Sequence, residues 1–396
     1  MNPLITDIND SNGLLEFRIA GIDVSVINAL RRTILSDIPR MVLNKPKIEI
    51  NTSAHFHNEI MKHRIQCVPI LPVKHGRFMS SEEMSDFVDN HVIEIHVTNE
   101  TPDILHVTSG DFKIFNKETQ QYLSKQETLE KFPAYKTHYF IDLMRLSPSR
   151  GLQIPGEQFK ATIEMSILTA KTDGCFTVAS TCSFQNTIDV PTAQSVWQQY
   201  VKKENEEEED SKELLEFKKR DFDLLDAQKY FLPNSFDFIL ESNGIYDNVD
   251  IIANGCQLII RRVQTLLDLI KANKVEMSES HLRVQRGGAE YSTMANSIDI
   301  LLADGDYTVG NLLDYMVYKM YLEGEKTLTY CGFTKYHPHL SESVLRLAFK
   351  EEQGMDLWQG MLMKAIENII QIFTKIATPF MKKTALPHPL EMKKLI

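Results

Sequence analysis

Four side chains able to do chemistry crowd one short stretch: His55, His57, Glu59 and His63. Glu59 and His63 stand four residues apart, which puts both on one face of a helix. Imidazoles with a carboxylate are a zinc donor set, so the cluster could serve a metal-dependent enzyme. The spacing matches no known zinc template, however. A polar helix surface with one or two hydrogen bonds explains the same residues. Tyr336-His337-Pro338-His339 offers a second histidine pair, and Pro338 makes it read as a turn.

The other catalytic signatures are missing. There is no Gly-x-Gly-x-x-Gly, no Gly-Lys-Ser/Thr phosphate loop and no Gly-x-Ser-x-Gly. Asp-Gly-Asp at 304–306 comes nearest to a two-metal carboxylate cluster, and a turn explains it fully. Arg31 and Arg32 remain. Adjacent helical residues point about 100° apart, so at least one of them reaches the edge of an apolar face. Such a pair is either solvated or makes bidentate contacts with a partner's carboxylates.

These residues need elements to hold them. Residues 24–37 predict a helix with Ser25 as N-cap and Ile27, Leu30 and Ile34 on one face, ended by Pro39. Short β-like runs follow at 47–50, 92–97 and 139–143, with a helical stretch at 58–65. Residues 159–168 and 176–184 read as strands. Residues 202–219 are a charge run that reads as a solvated loop. After a strand at 236–241, Ile252, Cys256, Ile259, Ile260, Val263, Leu266, Leu267 and Ile270 form an unbroken helical stripe.

A polar stretch at 277–296 precedes strand 297–302, a turn, helix 308–321, strands 327–333 and 344–349, and a closing helix. That helix places Leu357, Met361, Ala365, Ile366, Ile369, Ile370, Phe373 and Ile376 on one face. The order β-turn-α-β-β-α is an α+β layer. Two long helices with continuous apolar faces can cover each other inside one chain, making an intrachain pseudo-dimer.

Composition narrows the class. The 396 residues are 43% hydrophobic and 24% charged, which excludes a disordered or fibrous chain. The net charge is −11, and six acidic residues lie between Glu204 and Asp210, so the remainder is near neutral and no basic nucleic-acid clamp. Five cysteines without Cys-x-x-Cys point to a reducing compartment. No run approaches the ~18 apolar residues of a membrane span. The first twelve residues do not read as a secretory signal.

Residues 21–39, Gly-Ile-Asp-Val-Ser-Val-Ile-Asn-Ala-Leu-Arg-Arg-Thr-Ile-Leu-Ser-Asp-Ile-Pro, resemble the signature of the alpha-like assembly subunits of multisubunit RNA polymerases. These are bacterial alpha, its archaeal D-type counterpart and the third-largest subunit of polymerase II. Ile-Asn-Thr-Ser at 50–53 and Glu-Ile-Met-Lys-His-Arg-Ile-Gln-Cys-Val-Pro-Ile at 59–70 resemble the second block of that family. Asp-Tyr-Thr-Val-Gly-Asn-Leu-Leu at 306–313, Tyr-Cys-Gly-Phe at 330–333 and His337-Pro338 resemble the smaller partner, the archaeal L-type protein and the eleventh subunit of polymerase II. The two likenesses cover most of residues 14–377. Both on one chain resembles the fused subunit of large DNA viruses of eukaryotes.

The resemblance implies an α+β fold of two dimerisation modules, each a small antiparallel sheet with long amphipathic helices, plus a mainly β insert domain. The larger module would take 1–41 and 159–275 with an acidic loop at 202–219, the insert 42–158, and the smaller module 276–396 with a mobile tail at 379–396. It implies a non-catalytic platform for the largest and second-largest polymerase subunits, with a small tenth-type subunit as a further partner and no direct sequence-specific nucleic-acid contact. Asn28, Arg31, Arg32, Glu59, His63 and Arg64 would face or shape the large-subunit contact. Ile259, Val263, Leu266, Leu267, Leu312, Leu313, Ile366, Ile369, Ile370 and Phe373 would join the modules. Some relatives carry a zinc loop or iron–sulfur site in the insert. Here only Cys67 precedes Cys175, so no metal and no cofactor is expected. The site of action would be a viral factory in host cytoplasm or the virion, or otherwise the nucleus.

Overall fold

The computed structural model describes residues 1–75, 77–134, 139–149, 155–207, 212–272, 282–286, 294–303, 305–352 and 357–381. In chain order the elements begin β1 (Leu4–Ser11), β2 (Leu14–Ala20), α1 (Val24–Ser36), β3 (Arg40–Asn51) and α2 (Asn58–Gln66). There follow β4 (Val73–Lys74), β5 (Arg77–Phe78), α3 (Ser81–Asn90), β6 (His91–Thr98), β7 (Leu105–Thr108), β8 (Lys113–Asn116) and β9 (Gln121–Tyr122). Next are α4 (Lys125–Lys131), β10 (Asp142–Leu146), β11 (Gln158–Leu168), β12 (Ala179–Ile188), α5 (Val190–Glu207), α6 (Lys212–Leu224) and β13 (Phe231–Ser242). The chain continues through α7 (Asn248–Lys271), β14 (Leu282–Arg286), β15 (Ser297–Leu302), α8 (Tyr307–Val317), β16 (Leu328–Thr334), β17 (Ser343–Phe349) and α9 (Trp358–Met381). A π-helical turn, Tyr318–Gly324, extends α8.

Two compact units form. The first holds Met1–Ile34, Thr181–Glu241 and Asn248–Thr384; the second holds Leu35–Ser180 and Ser242–Asp247.

The first unit contains two four-stranded sheets, in the orders β1-β2-β13-β12 and β14-β15-β17-β16. Its largest helix–helix contact is α7 against α9. Each of these helices has 24 residues, a rod of about 36 Å. Ile252, Cys256, Ile259, Val263 and Leu267 of α7 are buried, as are Met361, Ile366, Ile369, Phe373 and Ile376 of α9. Each such aliphatic or aromatic side chain contributes roughly 1.5–3 kcal/mol through burial, so the two stripes are the main apolar store of the unit. Near its end α9 also meets the first sheet, where the ring centroids of Phe380 and Phe17 lie 5.1 Å apart. Arg346 on β17 grips Asp299 on β15 with two hydrogen bonds of 2.6 Å, pinning the register of the second sheet.

The second unit is built on the five-stranded sheet β3-β11-β6-β8-β9. Ile93, Ile95, Phe159, Ala161 and Ile163 form its centre with Met61 and Ile65 of α2. Helices α3 and α4 start with reciprocal capping boxes, Ser80 with Glu83 and Ser124 with Glu127. Arg40 is buried and donates to the carbonyls of Thr177 and Cys175; burial pushes its pKa down from the usual arginine value.

Several expectations change. Asp23, not Ser25, caps α1: its carboxylate accepts the Ser25 N–H at 2.8 Å, and the Ser25 hydroxyl is buried without a hydrogen-bond partner among the described residues. The strand expected at 139–143 runs Asp142–Leu146, and the one expected at 176–184 runs Ala179–Ile188 after a 3₁₀ turn at Gly174–Phe176. β11 pairs with β3 and β6, so residues 159–168 belong to the second unit's sheet and not to the larger module. The charged stretch 202–219 is not a loop where it is described. Residues 202–207 close α5 and residues 212–219 open α6, since Glu and Lys are good helix formers and can keep their charges in water. Residues 208–211 lie outside the described residues. The polar stretch 277–296 holds β14, paired along β15. Leu357 is exposed and precedes α9, while Leu266 and Ile370 are only half-buried. Helix α9 continues through Pro379 to Met381, and the rest of the expected tail lies outside the described residues.

Candidate functional site

Helix α1 turns Val26, Ile27, Ala29, Leu30, Thr33 and Ile34 inward. It crosses α7 at Gly255, where an added Cβ would come within 3.0 Å of Ile34. That commitment leaves Asn28, Arg31 and Arg32, at i, i+3 and i+4, together on the outer side. Arg31 Nε donates to Asn28 Oδ1 at 3.1 Å, so the amide orients the guanidinium. Arg32 Nε donates to Thr308 Oγ1 at 3.0 Å, across 276 residues of sequence.

Thr308 stands in the first turn of α8. Asp306 caps that helix by accepting the N–H groups of Thr308 and Val309, each at 3.1 Å. The same carboxylate meets Arg262 of α7 at 2.9 Å. One helix start is therefore tied to two other helices through arginines. The next turn packs equally closely. A Cβ on Gly310 would fall 2.2 Å from the Phe333 ring, so the ring rests directly on the helix backbone. The glycine is required by that contact. Leu312 and Leu313 are buried.

In the second unit, the histidine stretch does not converge. His57 caps α2, its Nδ1 accepting the Glu59 N–H at 3.4 Å. Glu59 pairs with Lys62 at 2.8 Å, and that hydrogen bond lowers its pKa below the usual carboxylate value. His55 and His63 are exposed. Arg64 lies over the Phe56 ring at 5.1 Å and donates to the Asp142 carbonyl at 2.8 Å. Among the described residues no group of three or more His, Cys, Asp or Glu could hold a metal ion. His57, Glu59 and Arg64 are thus engaged in a cap, a surface ion pair and a cation over a ring. Among the described residues no helix is long and apolar enough to cross a membrane.

Sequence reasoning found α1, α2 and the start of α8, but missed Asp306, Arg262 and Phe333 as the residues that lock that start. Asp306 preceding Thr308 and Val309 carried the signal of an N-cap. The arginine contacts carried none.

The family model for the RNA polymerase Rpb3/Rpb11 dimerisation domain matches residues 16–263, more than half of the chain. The chain belongs to this family. Rpo3, a subunit of the DNA-directed RNA polymerase of Thermococcus kodakarensis, is 35% identical over 99 residues, 25% of this chain and 36% of the relative. RPAC1 of mouse RNA polymerases I and III is 42% identical over 57 residues, 14% and 16% of the two chains. The Dictyostelium discoideum counterpart is 38% identical over 66 residues, 17% and 19%. The chain thus spans about a third or less of the length of these relatives. The Rpb3/Rpb11 family match ends within α7 and leaves α8 and α9 outside it.

Proposed function

We propose that the chain is a non-catalytic assembly protein of a multisubunit, DNA-directed RNA polymerase, the platform on which the largest and second-largest subunits are held together. The observation that carries this reading is the packing of α7 on α9. The residues around α7 and those from β14 to α9 each supply a four-stranded sheet and a long amphipathic helix, and each helix covers the other's stripe. In this reading they are two related halves fused on one chain, paired as a pseudo-dimer, as in large DNA viruses of eukaryotes. The outer face of α1 (Asn28, Arg31 and Arg32) receives carboxylates of a large subunit. Glu59, His63 and Arg64 form a second contact surface on the insert, and a small tenth-type subunit is a further partner. The chain brings no catalytic group, metal or cofactor, and works in the nucleus or, for a viral enzyme, in host cytoplasm and the virion.

The test is co-expression of the tagged chain with a second-largest polymerase subunit from the same source. The reading predicts co-purification, lost at least tenfold in Arg31→Ala with Arg32→Ala while circular dichroism stays unchanged. Normal capture by the double variant would overturn the assigned surface. Loss of folding would assign both arginines to structure.

A further inference from the structure

Helix α6 has two apolar faces and uses only one. Phe222 is buried with Ala193 and Ala227, against Trp197 and Tyr230, and the Lys219 ammonium lies 5.3 Å from the Trp197 ring. On the other side, Leu214, Phe217, Leu224 and Leu225 are 42%, 69%, 62% and 63% exposed. With Asp221 they stand at i, i+3, i+7, i+10 and i+11, within about 100° of arc on the helix. Leu214, Phe217 and Leu224 on one face of this 13-residue helix, with Leu225 immediately after its last residue, are more than the scattered exposure a surface tolerates. Leu224 also borders a groove of about 600 Å³ between α5 and α6, lined by Trp197, Val201 and Leu215. The apolar surface therefore continues from the face into the groove.

The middle of this face holds the key charge. Asp221 is exposed, and its carboxylate makes no hydrogen bond or ion pair with a described residue. Any segment that covers the leucines and Phe217 also takes Asp221 out of water. A covered carboxylate left alone costs several kcal/mol, so the covering segment must bring a cation opposite it. A second copy of the chain is a poor source. Its own patch has Asp221 at the centre, and the flanking Lys218 is already engaged within its chain.

We infer that the Leu214–Phe217–Leu224–Leu225 face of α6 docks an amphipathic helix of another polymerase subunit, one carrying a single Lys or Arg among apolar residues to meet Asp221. This rests on the reading of the chain as a polymerase component. It assigns a binding role to a helical hairpin whose sequence reads as a charged linker.

A photo-reactive benzoylphenylalanine at position 217 of the full chain, assembled into the polymerase, tests it by mass spectrometry. The expected product is a crosslink to one other subunit, in an apolar helical segment holding a Lys or Arg. Asp221→Lys then lowers retention of that subunit at least tenfold, and changing the crosslinked cation to Glu restores it. Three outcomes overturn the inference: no crosslink in an assembled polymerase, a crosslink to a second copy of this chain, or a crosslinked segment without a cation or without rescue. Failure of the large subunits to assemble at all would instead sink the polymerase reading itself.

Discussion

Helices α9 and α6 carry the same kind of signal and meet opposite fates. Both repeat large apolar residues at helical spacing. In α9 the stripe from Met361 to Phe380 is buried against α7 and the first sheet. In α6 the stripe of Leu214, Phe217 and Leu224, continued by Leu225, stays in water. Periodicity alone reports that a helix has an apolar face, while burial reports whether the chain supplies the partner. A covered stripe is core. The uncovered one on α6, with a lone carboxylate at its centre, is the face inferred above to dock a partner helix.

The sharpest way to break this contrast is to truncate the covered stripe. Phe373→Ala should cost about 3–5 kcal/mol, read as a lowered urea midpoint, because a fully buried ring leaves a cavity between tightly packed helices. A change below about 1 kcal/mol would mean that α9 is not core. Next comes the close packing at the start of α8. Gly310→Val should cost about 1–3 kcal/mol or more, since the new side chain overlaps the Phe333 ring. Asp306→Ala should cost about 1–2 kcal/mol by the same assay, removing the helix cap together with the partner of Arg262. The smallest effect belongs to the uncovered stripe: Phe217→Ser should move the stability of the free chain by no more than about 0.5 kcal/mol. A loss comparable to that of Phe373→Ala would place Phe217 in a core and erase the distinction.

Much of the fold was legible from spacing. The stripe from Ile252 to Ile270 marked α7, and the alternation of Phe159, Ala161, Ile163 and Met165 marked β11. What escaped has physical reasons. β14 reads Leu-Arg-Val-Gln-Arg, with too few apolar positions to stand out from its polar flanks, and pairing along β15 supplies what its sequence lacks. The end of α5 and the start of α6 hid behind charge, because a run of Glu and Lys is as compatible with an exposed helix as with a loop. At the candidate site, α1 and its outward Asn28, Arg31 and Arg32 followed from the apolar face opposite them. The contact of Arg32 with Thr308 did not, since nothing in either segment encodes a neighbour 276 residues away. Likewise, Gly310 reveals its role only once Phe333 is seen against it.

As proposed, this member of the Rpb3/Rpb11 family is the platform of an RNA polymerase. Affinity purification of the tagged chain from its native source, read by mass spectrometry and by primed RNA synthesis, tests it most directly. A polymerase platform brings down two very large polymerase subunits together with template-directed synthesis. Recovery of the chain alone, folded and monomeric with no synthesis, would contradict it.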